Sequence, residues 1–148
     1  GWSPRMRLDV SVNMLTLQAL KNKVITVFGG MQTRPNIHIK DMVRVYSHFI
    51  DSAEIDSGCY NAGFENISIL EIAELVAKEI PSEIVVTESN DPRSYRQNSD
   101  KLLKTGFKQK HFIIDAIKEI CERFNSGELK DDDQYYTVKW MKHLGLDK

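Results

Sequence analysis

The chain has 148 residues, of which 20 are lysine or arginine and 21 are aspartate or glutamate, so its formal net charge is −1. This length suits one domain, and the near-neutral balance excludes a strongly basic surface for nucleic acid or anionic membranes. No apolar run approaches the roughly 20 residues of a membrane span, so we expect a soluble cytoplasmic protein without a membrane contact.

The spacing of cysteines and histidines gives no support for a metal or redox site. Cys59 and Cys121 lie too far apart for a CxxC motif, and so sparse a cysteine content fits a reducing cytosol. The histidines form neither an HExxH motif nor a close pair. We therefore expect no bound metal.

The first forty residues predict a helix followed by two short strands. Apolar residues cover most of the circumference of Leu8–Asn22, so this helix is expected to be buried on more than one side. The β-branched run Val24–Phe28 predicts a strand that ends at a glycine pair. Ile37 and Ile39 alternate with polar residues and predict a second strand, with a proline at its edge.

The middle of the chain predicts a helix, a strand and a capped second helix. Asp41 is the expected N-cap of a helix that ends near Ile50. The expected core face of this helix holds Met42, Val45, Tyr46 and Phe49. Residues 58–63 (GCYNAG) predict a strand that ends in a loop, and Ser68 and Glu71 have the spacing of a capping box that begins the next helix.

The last third predicts one strand, an irregular loop and further helices. The expected boundaries are 84–87 for the strand, 90–99 for the loop, 100–104 for a one-turn helix, 112–124 for an amphipathic helix, 126–133 for an acidic linker and 134–148 for a C-terminal helix. Short strands between helices, without long apolar strands, predict an α+β fold rather than a doubly wound parallel sheet. Because the chain does not begin with methionine, we expect it to be a piece of a longer protein.

Catalytic and cofactor motifs are absent from the sequence. It contains no GxGxxG, no P-loop and no GxSxG, so no catalytic residue is assigned. Tyr135 and Lys139 have a helical i, i+4 spacing, and a nearby ammonium group can lower the pKa of a phenol. Because no cofactor loop precedes this pair, a surface or dimer-facing helix is the favoured interpretation.

Three clusters carry arginines whose planar guanidinium groups suit phosphate oxygens. They hold Arg5 and Arg7 ahead of the first helix, Arg34 after the glycine turn, and Asp91, Arg93 and Tyr95 in the 90–99 loop. Each cluster taken alone is explained as a solvated loop. Their joint occurrence in an otherwise neutral chain favours a site for an anionic small molecule.

Seven segments carry a resemblance to a known family. They are SPRMRLD, ITVFGG, RPNIHIKD, CYNAG, SILEIAELVAKEI, DPRSYRQNSDKL and GFKQKHFIIDAIKEI. In this order they resemble the C-terminal part of the extended short-chain dehydrogenases/reductases that act as NAD-dependent nucleotide-sugar epimerases and dehydratases. SPRMR together with RPNIHI is most similar to members in surface-polysaccharide and lipopolysaccharide sugar biosynthesis.

The resemblance implies that residues 1–125 are the substrate-binding portion of such an enzyme. An N-terminal Rossmann domain, with the NAD-binding glycines and the catalytic Tyr and Lys, would then lie outside this chain. The implied ligands are a nucleotide-diphosphate sugar and, in the intact enzyme, NAD; the implied reaction is that of an isomerase, a lyase or an oxidoreductase. Alone, the chain is expected to be inactive, to expose an apolar patch on the Leu8–Asn22 helix, and to self-associate.

The same resemblance implies roles for individual residues. Arg34 would contact the diphosphate, Asp91 would approach the ribose, Arg93 and Tyr95 would line the same loop, Val27 and Phe28 would lie near the base, and Arg5 and Arg7 would lie near the sugar pocket. Glu88 stands where many relatives carry an arginine, so the diphosphate would depend on Arg34, with or without Arg93.

Two other hypotheses remain open at this point. A stand-alone, non-catalytic nucleotide-sugar-binding or interaction module would keep the scaffold without the chemistry, and the reading frame upstream of Gly1 discriminates it from an enzyme. Nucleic-acid binding through the arginine clusters is the weaker hypothesis, and it would require a salt-dependent retention on DNA.

Overall fold

The structure is a computed structural model that describes residues 1–146, in which helices alternate with short strands in an α+β organisation. The helices are α1 (Ser11–Asn22), α2 (Ile39–Asp51), α3 (Ile69–Glu79), α4 (Asp100–Leu103), α5 (Ile113–Asn125) and α6 (Thr137–His143), with a 3-10 turn over Asp133–Tyr135. The strands are β1 (Val24–Phe28), β2 (Thr33–Asn36), β3 (Glu65–Ser68) and β4 (Glu83–Thr87). Within the described range, no helix is both long enough and apolar enough to cross a membrane.

The strands pair two by two. β1 and β4 run parallel, with Val24 opposite Glu83 at one end and Phe28 opposite Thr87 at the other. β2 and β3 run antiparallel, with Thr33 opposite Ser68. A parallel pair requires a crossover, and α3 lies in that connection and contacts both β1 and β4.

Helix α1 lies at the centre of the core. It packs against α3, α5 and β1. The main cluster around it holds Val12, Leu15, Ala19, Ile25, Val27, Ile72, Ala73, Val76, Ile80, Ile113, Ala116 and Ile117. A second cluster on another side of α1 holds Met6, Leu8, Leu17, Ile120 and Leu129. The apolar patch expected on this helix is therefore wrong, because α5 and the segment after it cover that surface.

The second strand and the helix after it begin earlier than the sequence pattern predicts. The stretch Thr33–Asn36 pairs with β3, whereas Ile39 already belongs to α2. The N-cap of α2 is His38, whose Nδ1 accepts a hydrogen bond from the backbone N–H of Lys40 at 3.1 Å. Asp41, predicted as the cap, is instead a fully buried carboxylate in the first turn.

Two further positions differ from the expectation. Tyr46 lies on the outer face of α2 and is exposed, although the pattern placed it in the core. Residues 58–63 form no strand, and β3 begins only at Glu65. Among residues 1–146 no strand runs beside 58–63, so this segment has no backbone ladder to join.

The local signals of the middle helices are confirmed. Ser68 and Glu71 form the predicted capping box: the Ser68 Oγ accepts from the Glu71 N–H at 3.2 Å, and the Glu71 carboxylate accepts from the Ser68 N–H at 2.7 Å. At the start of α5, the carboxylate of Asp115 accepts from the Phe112 N–H at 2.8 Å. Residues 90–99 are irregular, as predicted.

The segment after α5 packs on the body of the chain. Leu129 is buried in the second cluster, and Asp131 accepts hydrogen bonds from Lys21 at 2.5 Å and from the Tyr136 hydroxyl at 2.7 Å. The C-terminal part of the chain consists of the 3-10 turn followed by α6 rather than one continuous helix. Residues 147–148 of the predicted 134–148 segment lie outside the described residues.

Candidate functional site

A groove with a volume of about 340 Å³ opens between the start of α1, the end of β1 and the loop after β4. Its lining residues are Asp9, Ser11, Met14, Leu15, Thr26, Phe28, Gln32, Arg34, Ile69, Ser89 and Asp91. The N-terminus of α1 begins at Ser11 without a side-chain cap, since its N-cap residue is Val10. The free N–H groups and the positive end of the helix dipole there favour an anion.

Arg34 projects from β2 into a set of contacts with the loop after β4. Its guanidinium donates to the Thr33 carbonyl at 3.0 Å, to the Asp91 carboxylate at 3.4 Å and to the Arg93 carbonyl. The same group lies over the ring of Tyr95, 5.1 Å from its centroid. The fold thus brings Arg34, Asp91, Arg93 and Tyr95 together. Arg34 and Asp91 line the groove, whereas Arg93 and Tyr95 lie beside these two residues and do not line it.

Asp91 is held as a carboxylate by its arginine neighbours. It accepts from the backbone N–H of Arg93 at 3.1 Å and from two guanidinium nitrogens of Arg93 at 2.7 and 2.8 Å. These hydrogen bonds, with the charge of Arg34 as a smaller contribution, hold the pKa of Asp91 well below its usual range. Asp91 therefore carries a full negative charge throughout the physiological pH range.

The 90–99 loop is fixed to the β2–β3 pair although it forms no strand itself. The Tyr95 N–H donates to the Thr33 carbonyl at 3.2 Å, and the Thr33 N–H donates to the Ser94 hydroxyl at 3.0 Å. Further along, Asn66 and Gln97 exchange two side-chain-to-backbone hydrogen bonds, at 2.8 and 3.0 Å. This attachment positions the charged residues of the loop without regular secondary structure.

The remaining residues predicted for the site lie in different surroundings. Phe28 lines the groove and is 58% exposed, whereas the side chain of Val27 is fully buried in the core. Arg7 pairs with Asp9, which lines the groove, at 2.9 Å. Arg5 is exposed and does not line the groove.

Sequence reasoning did not single out several polar residues of the groove. The side chain of Gln32 joins the turn after β1 to the 90–99 loop. Its Oε1 accepts a hydrogen bond from the Gly30 N–H at 2.8 Å, and its Nε2 donates to the backbone carbonyls of Phe28 and Asp91 at 3.2 and 3.4 Å. Ser11 lines the groove at the start of α1. A serine at a helix start is a local signal that could have indicated Ser11, whereas nothing local distinguishes Gln32.

Comparison with known proteins gives a curated relative and a set of solved structures. No protein-family model matches the chain. The anthocyanidin reductase ((2S)-flavan-3-ol-forming) of Vitis vinifera is 33% identical over 95 residues, which is 62% of this chain and 28% of that protein.

Several of the solved structures that match are named as nucleotide-sugar enzymes or contain a bound nucleotide sugar. The dTDP-glucose 4,6-dehydratase of Bacillus anthracis, in complex with NAD, matches with a TM-score of 0.67 and 15% identity over 93% of this chain and 44% of that chain. The UDP-glucuronic acid 4-epimerase of Bacillus cereus, in complex with NAD, matches with a TM-score of 0.66 and 22% identity over 86% of this chain and 42% of that chain. MoeE5, in complex with UDP-glucose and NAD, matches with a TM-score of 0.67 and 17% identity over 86% of this chain and 45% of that chain.

This chain has the fold of a segment of the nucleotide-sugar epimerases and dehydratases. The resemblance predicted from the sequence motifs is confirmed at this level. The chain spans less than half the length of these three structures and 28% of the curated relative. The identities to the solved structures, all below 25%, establish a shared fold and not a shared activity.

In this epimerase/dehydratase-like segment, the glycine turn after β1 does not fit the pyrophosphate of NAD. A pyrophosphate needs free backbone N–H groups in a glycine-rich turn that leads into a helix. At the glycine turn after β1, the Gly29 N–H donates to the Thr87 carbonyl at 2.8 Å and the Gly30 N–H donates to Phe28 and Gln32. Those donors are already used. Residues 1–146 also contain no group of three His, Cys, Asp or Glu residues that could hold a metal ion.

Tyr135 and Lys139 do not share one helix face in this segment. Tyr135 ends the 3-10 turn, and Lys139 lies in α6. The Lys139 Nζ is 3.2 Å from the Asp133 carboxylate and 4.5 Å from the ring centroid of Tyr136. The ammonium group is therefore engaged by Asp133 and Tyr136, so this geometry gives no support to an acid–base role for Tyr135.

Proposed function

We propose that the groove binds a nucleotide-diphosphate sugar and that the chain is the substrate-binding portion of an NAD-dependent sugar-nucleotide epimerase or dehydratase. The observation that supports this most directly is the convergence of Arg34, Asp91, Arg93 and Tyr95 beside one groove. Its volume of about 340 Å³ lies in the lower part of the range for small-molecule sites, roughly 300–1,000 Å³. A partly open groove fits a site that a second domain completes.

The charges along the groove suggest an orientation for the ligand. The diphosphate would lie near Arg34 and the N-terminus of α1, where guanidinium and backbone N–H donors are close. Arg93, with 75% of its side chain exposed, can turn from Asp91 toward a phosphate oxygen. The Asp91 carboxylate would then accept from a ribose diol, and the exposed ring of Phe28 or Tyr95 would stack on the base.

The division of labour in the proposed enzyme follows from what this segment carries. Its contribution is to position the sugar, and such orientation accounts for a large part of many enzymatic rate enhancements. NAD supplies hydride transfer when it is bound by the rest of the enzyme. Epimerisation, dehydration or reduction would be decided outside this chain. The SPRMR and RPNIHI motifs support a place in surface-polysaccharide or lipopolysaccharide sugar biosynthesis.

Titration calorimetry with UDP-glucose, the sugar nucleotide bound in MoeE5, tests the site. The chain is expected to bind UDP-glucose weakly, and Arg34→Ala is expected to weaken that binding at least tenfold, because charge-assisted hydrogen bonds contribute roughly 1.5–3 kcal/mol. Arg96→Ala is the matched control, since Arg96 lies in the same loop and is exposed but does not line the groove.

Three results would count against this function. They are no binding at millimolar UDP-glucose, unchanged binding in Arg34→Ala, and equal losses in Arg34→Ala and Arg96→Ala. Thermal melting of both variants controls for folding: a variant that melts with the parent protein reports on binding alone.

A further inference from the structure

The segment that follows α5 folds back against the start and the end of α1. We call residues 129–137 the C-terminal strap. Leu129 is buried in the second core cluster, and the Asp131 carboxylate accepts from the Lys21 Nζ at 2.5 Å and from the Tyr136 hydroxyl at 2.7 Å. Because Lys21 lies in the last turn of α1, the strap is tied to this helix as well as to the core.

The far end of the C-terminal strap binds the residues that precede α1. The Leu8 N–H donates to the Tyr135 carbonyl at 2.8 Å, and the side chain of Leu8 is fully buried. The Thr137 N–H donates to the Asp9 carboxylate at 3.1 Å, a contact that joins positions 128 residues apart. The strap therefore fixes the backbone at Leu8 and the side chain at Asp9.

Asp9 is a groove-lining carboxylate that can still accept hydrogen bonds. A carboxylate offers about four acceptor sites. Two other residues donate to Asp9, one to each oxygen: the Arg7 Nε at 2.9 Å and the Thr137 N–H. Asp91, which also lines the groove, already accepts four hydrogen bonds, two on each oxygen. Asp9 can thus accept from a ligand without giving up a partner, whereas Asp91 cannot.

The charge of Asp9 restricts the ligand group that it can bind. Partial burial alone would raise its pKa, but hydrogen bonds from Arg7 and Thr137 outweigh burial and hold that pKa below its ordinary value. Asp9 is therefore a carboxylate at neutral pH. Such a group accepts from hydroxyl groups and repels phosphate oxygens. In a nucleotide-diphosphate sugar with its diphosphate near Arg34, the hexose carries the hydroxyl groups that suit Asp9.

We infer that Asp9 binds a hydroxyl group of the hexose and that the C-terminal strap positions it through the Thr137 N–H. The segment after α5 then takes part in substrate recognition besides covering the core. Asp9 is the binding residue, and Thr137 is a positioning residue that acts through its backbone. This inference rests on the proposed function, because it takes the ligand of the groove to be a nucleotide-diphosphate sugar.

Titration calorimetry of the 148-residue chain with UDP-glucose and with UDP tests the role of Asp9. Asp9→Asn is expected to weaken UDP-glucose binding at least about fivefold, because the neutral amide is a weaker acceptor than the carboxylate. The binding of UDP, which lacks the hexose, should not weaken, because the substitution removes a negative charge from a groove that holds an anion. A variant that merely disturbed the groove would lose affinity for both ligands.

Thr137→Pro isolates the contribution of the C-terminal strap. Thr137 is the first residue of α6, where proline is tolerated, and Tyr136 before it already has an extended conformation. Proline removes the N–H that donates to Asp9, whereas the matched control Thr137→Ala keeps it. Thr137→Pro is expected to weaken UDP-glucose binding at least about threefold and to leave UDP binding unchanged. It is also expected to raise the pKa of the Asp9 carboxyl, measured by ¹³C NMR without ligand. Thr137→Ala should match the parent chain in all three measurements.

Each result decides one part of the inference. Equal pKa values of Asp9 in the two Thr137 variants would overturn the positioning by the strap. UDP-glucose binding that Asp9→Asn leaves unchanged, or an equal loss of UDP binding, would overturn the role of Asp9 while the proposed function stands. A parent chain that binds neither ligand would overturn the proposed function and the assignment of Asp9 with it.

Thermal melting of each variant controls for folding. Should Thr137→Pro melt well below the parent chain, Asp131→Ala provides a second variant, because it releases the strap from Lys21 and Tyr136 without changing a residue that lines the groove. It is expected to weaken UDP-glucose binding and not UDP binding. Unchanged affinity for UDP-glucose in Asp131→Ala would count against the strap as a positioning element.

Discussion

The Arg34 guanidinium donates a hydrogen bond to the Asp91 carboxylate across 3.4 Å, although 57 residues separate the two in the sequence. The contact joins β2 to the loop after β4. Arg93 binds the same carboxylate with two shorter hydrogen bonds. Asp91 thus holds two guanidinium groups close to each other beside the groove. Without its negative charge, the two cations would repel each other.

Asp91→Asn is expected to loosen the loop without unfolding the chain. The neutral amide cannot accept from both guanidinium groups as the carboxylate does, so the amides of Arg93 and Tyr95 should exchange faster. The melting temperature should change little, because Asp91 lies at the surface. Hydrogen exchange measured by NMR checks this, with Asp100→Asn as the control. Unchanged protection at Arg93 and Tyr95 would show that Asp91 does not order the loop.

The same loop is expected to respond to acid. Because the pKa of Asp91 is lower in the folded chain than in the unfolded chain, the ordering is complete above the unfolded value near 4 and is lost as the pH falls below it. In the parent protein, the hydrogen-exchange rates of the loop amides, corrected for the intrinsic pH dependence of exchange, should therefore rise as the pH falls below 4. They should not rise in Asp91→Asn, and an equal rise in both proteins would contradict the assignment.

Asp41 is expected to contribute stability to the fold that is lost in strong acid. Burial alone would raise its pKa, but hydrogen bonds from the His111 ring, the backbone of His111 and Lys110, and Arg44 lower that pKa to about 2. The lowered pKa corresponds to about 2 kcal/mol of stability at neutral pH, at roughly 1.4 kcal/mol per unit. This contribution is complete above pH 4 and is lost as the pH falls through 2.

Asp41→Asn tests this contribution by urea unfolding. We expect a destabilisation of about 2–4 kcal/mol at pH 7, because the change leaves Arg44 and His111 without their buried partner. The difference from the parent protein should shrink as the pH approaches 2. Asp51→Asn, on the exposed end of the same helix, is the control and should change stability by less than about 0.5 kcal/mol. A difference that stays constant from pH 7 to pH 2 would contradict the assignment.

The 148-residue chain is expected to be catalytically silent. Its glycine turn has no free backbone donors for NAD, and Lys139 is engaged by Asp133 rather than by Tyr135. Incubation with NAD⁺ and UDP-glucose, followed by chromatography of the sugar nucleotides and by absorbance at 340 nm, measures turnover. We expect no conversion and no reduced nicotinamide. Turnover that copurifies with the chain would show that the division of labour is wrong, and its loss in Tyr135→Phe would assign the activity to Tyr135.

The sequence predicts the elements whose signals are local. The β-branched run of β1 and the capping box formed by Ser68 and Glu71 depend on neighbouring residues alone, and both lie where the pattern placed them. The position of β2 was wrong because pairing with β3, rather than the alternation of Ile37 and Ile39, decides where the strand lies. Asp41 has the composition of a cap, but the distant backbone of residues 110–111 binds it in the core.

In the candidate site, too, some residues could be predicted from the sequence and others depend on contacts that form only in the folded chain. Arginine content and motif order pointed to Arg34, Asp91 and Arg93, and the fold brings these residues together. Gln32 was not predicted, because its side chain contacts both the turn after β1 and the 90–99 loop only once the chain is folded. The exposure of Tyr46 on α2 was also not predicted, because an apolar residue on a helix gives no local sign of whether its own chain covers it.

Mapping UDP-glucose onto the chain by amide chemical shifts tests the location of the site most directly. Titration into the ¹⁵N-labelled chain is expected to move the amides of Ser11, Gln32, Arg34, Ser89 and Asp91 most, because they surround the 340 Å³ groove. The amide signals of α2 should not shift. Shifts confined to α2, or scattered over the surface with those five amides unmoved, would contradict the assignment of the groove as the sugar-nucleotide site.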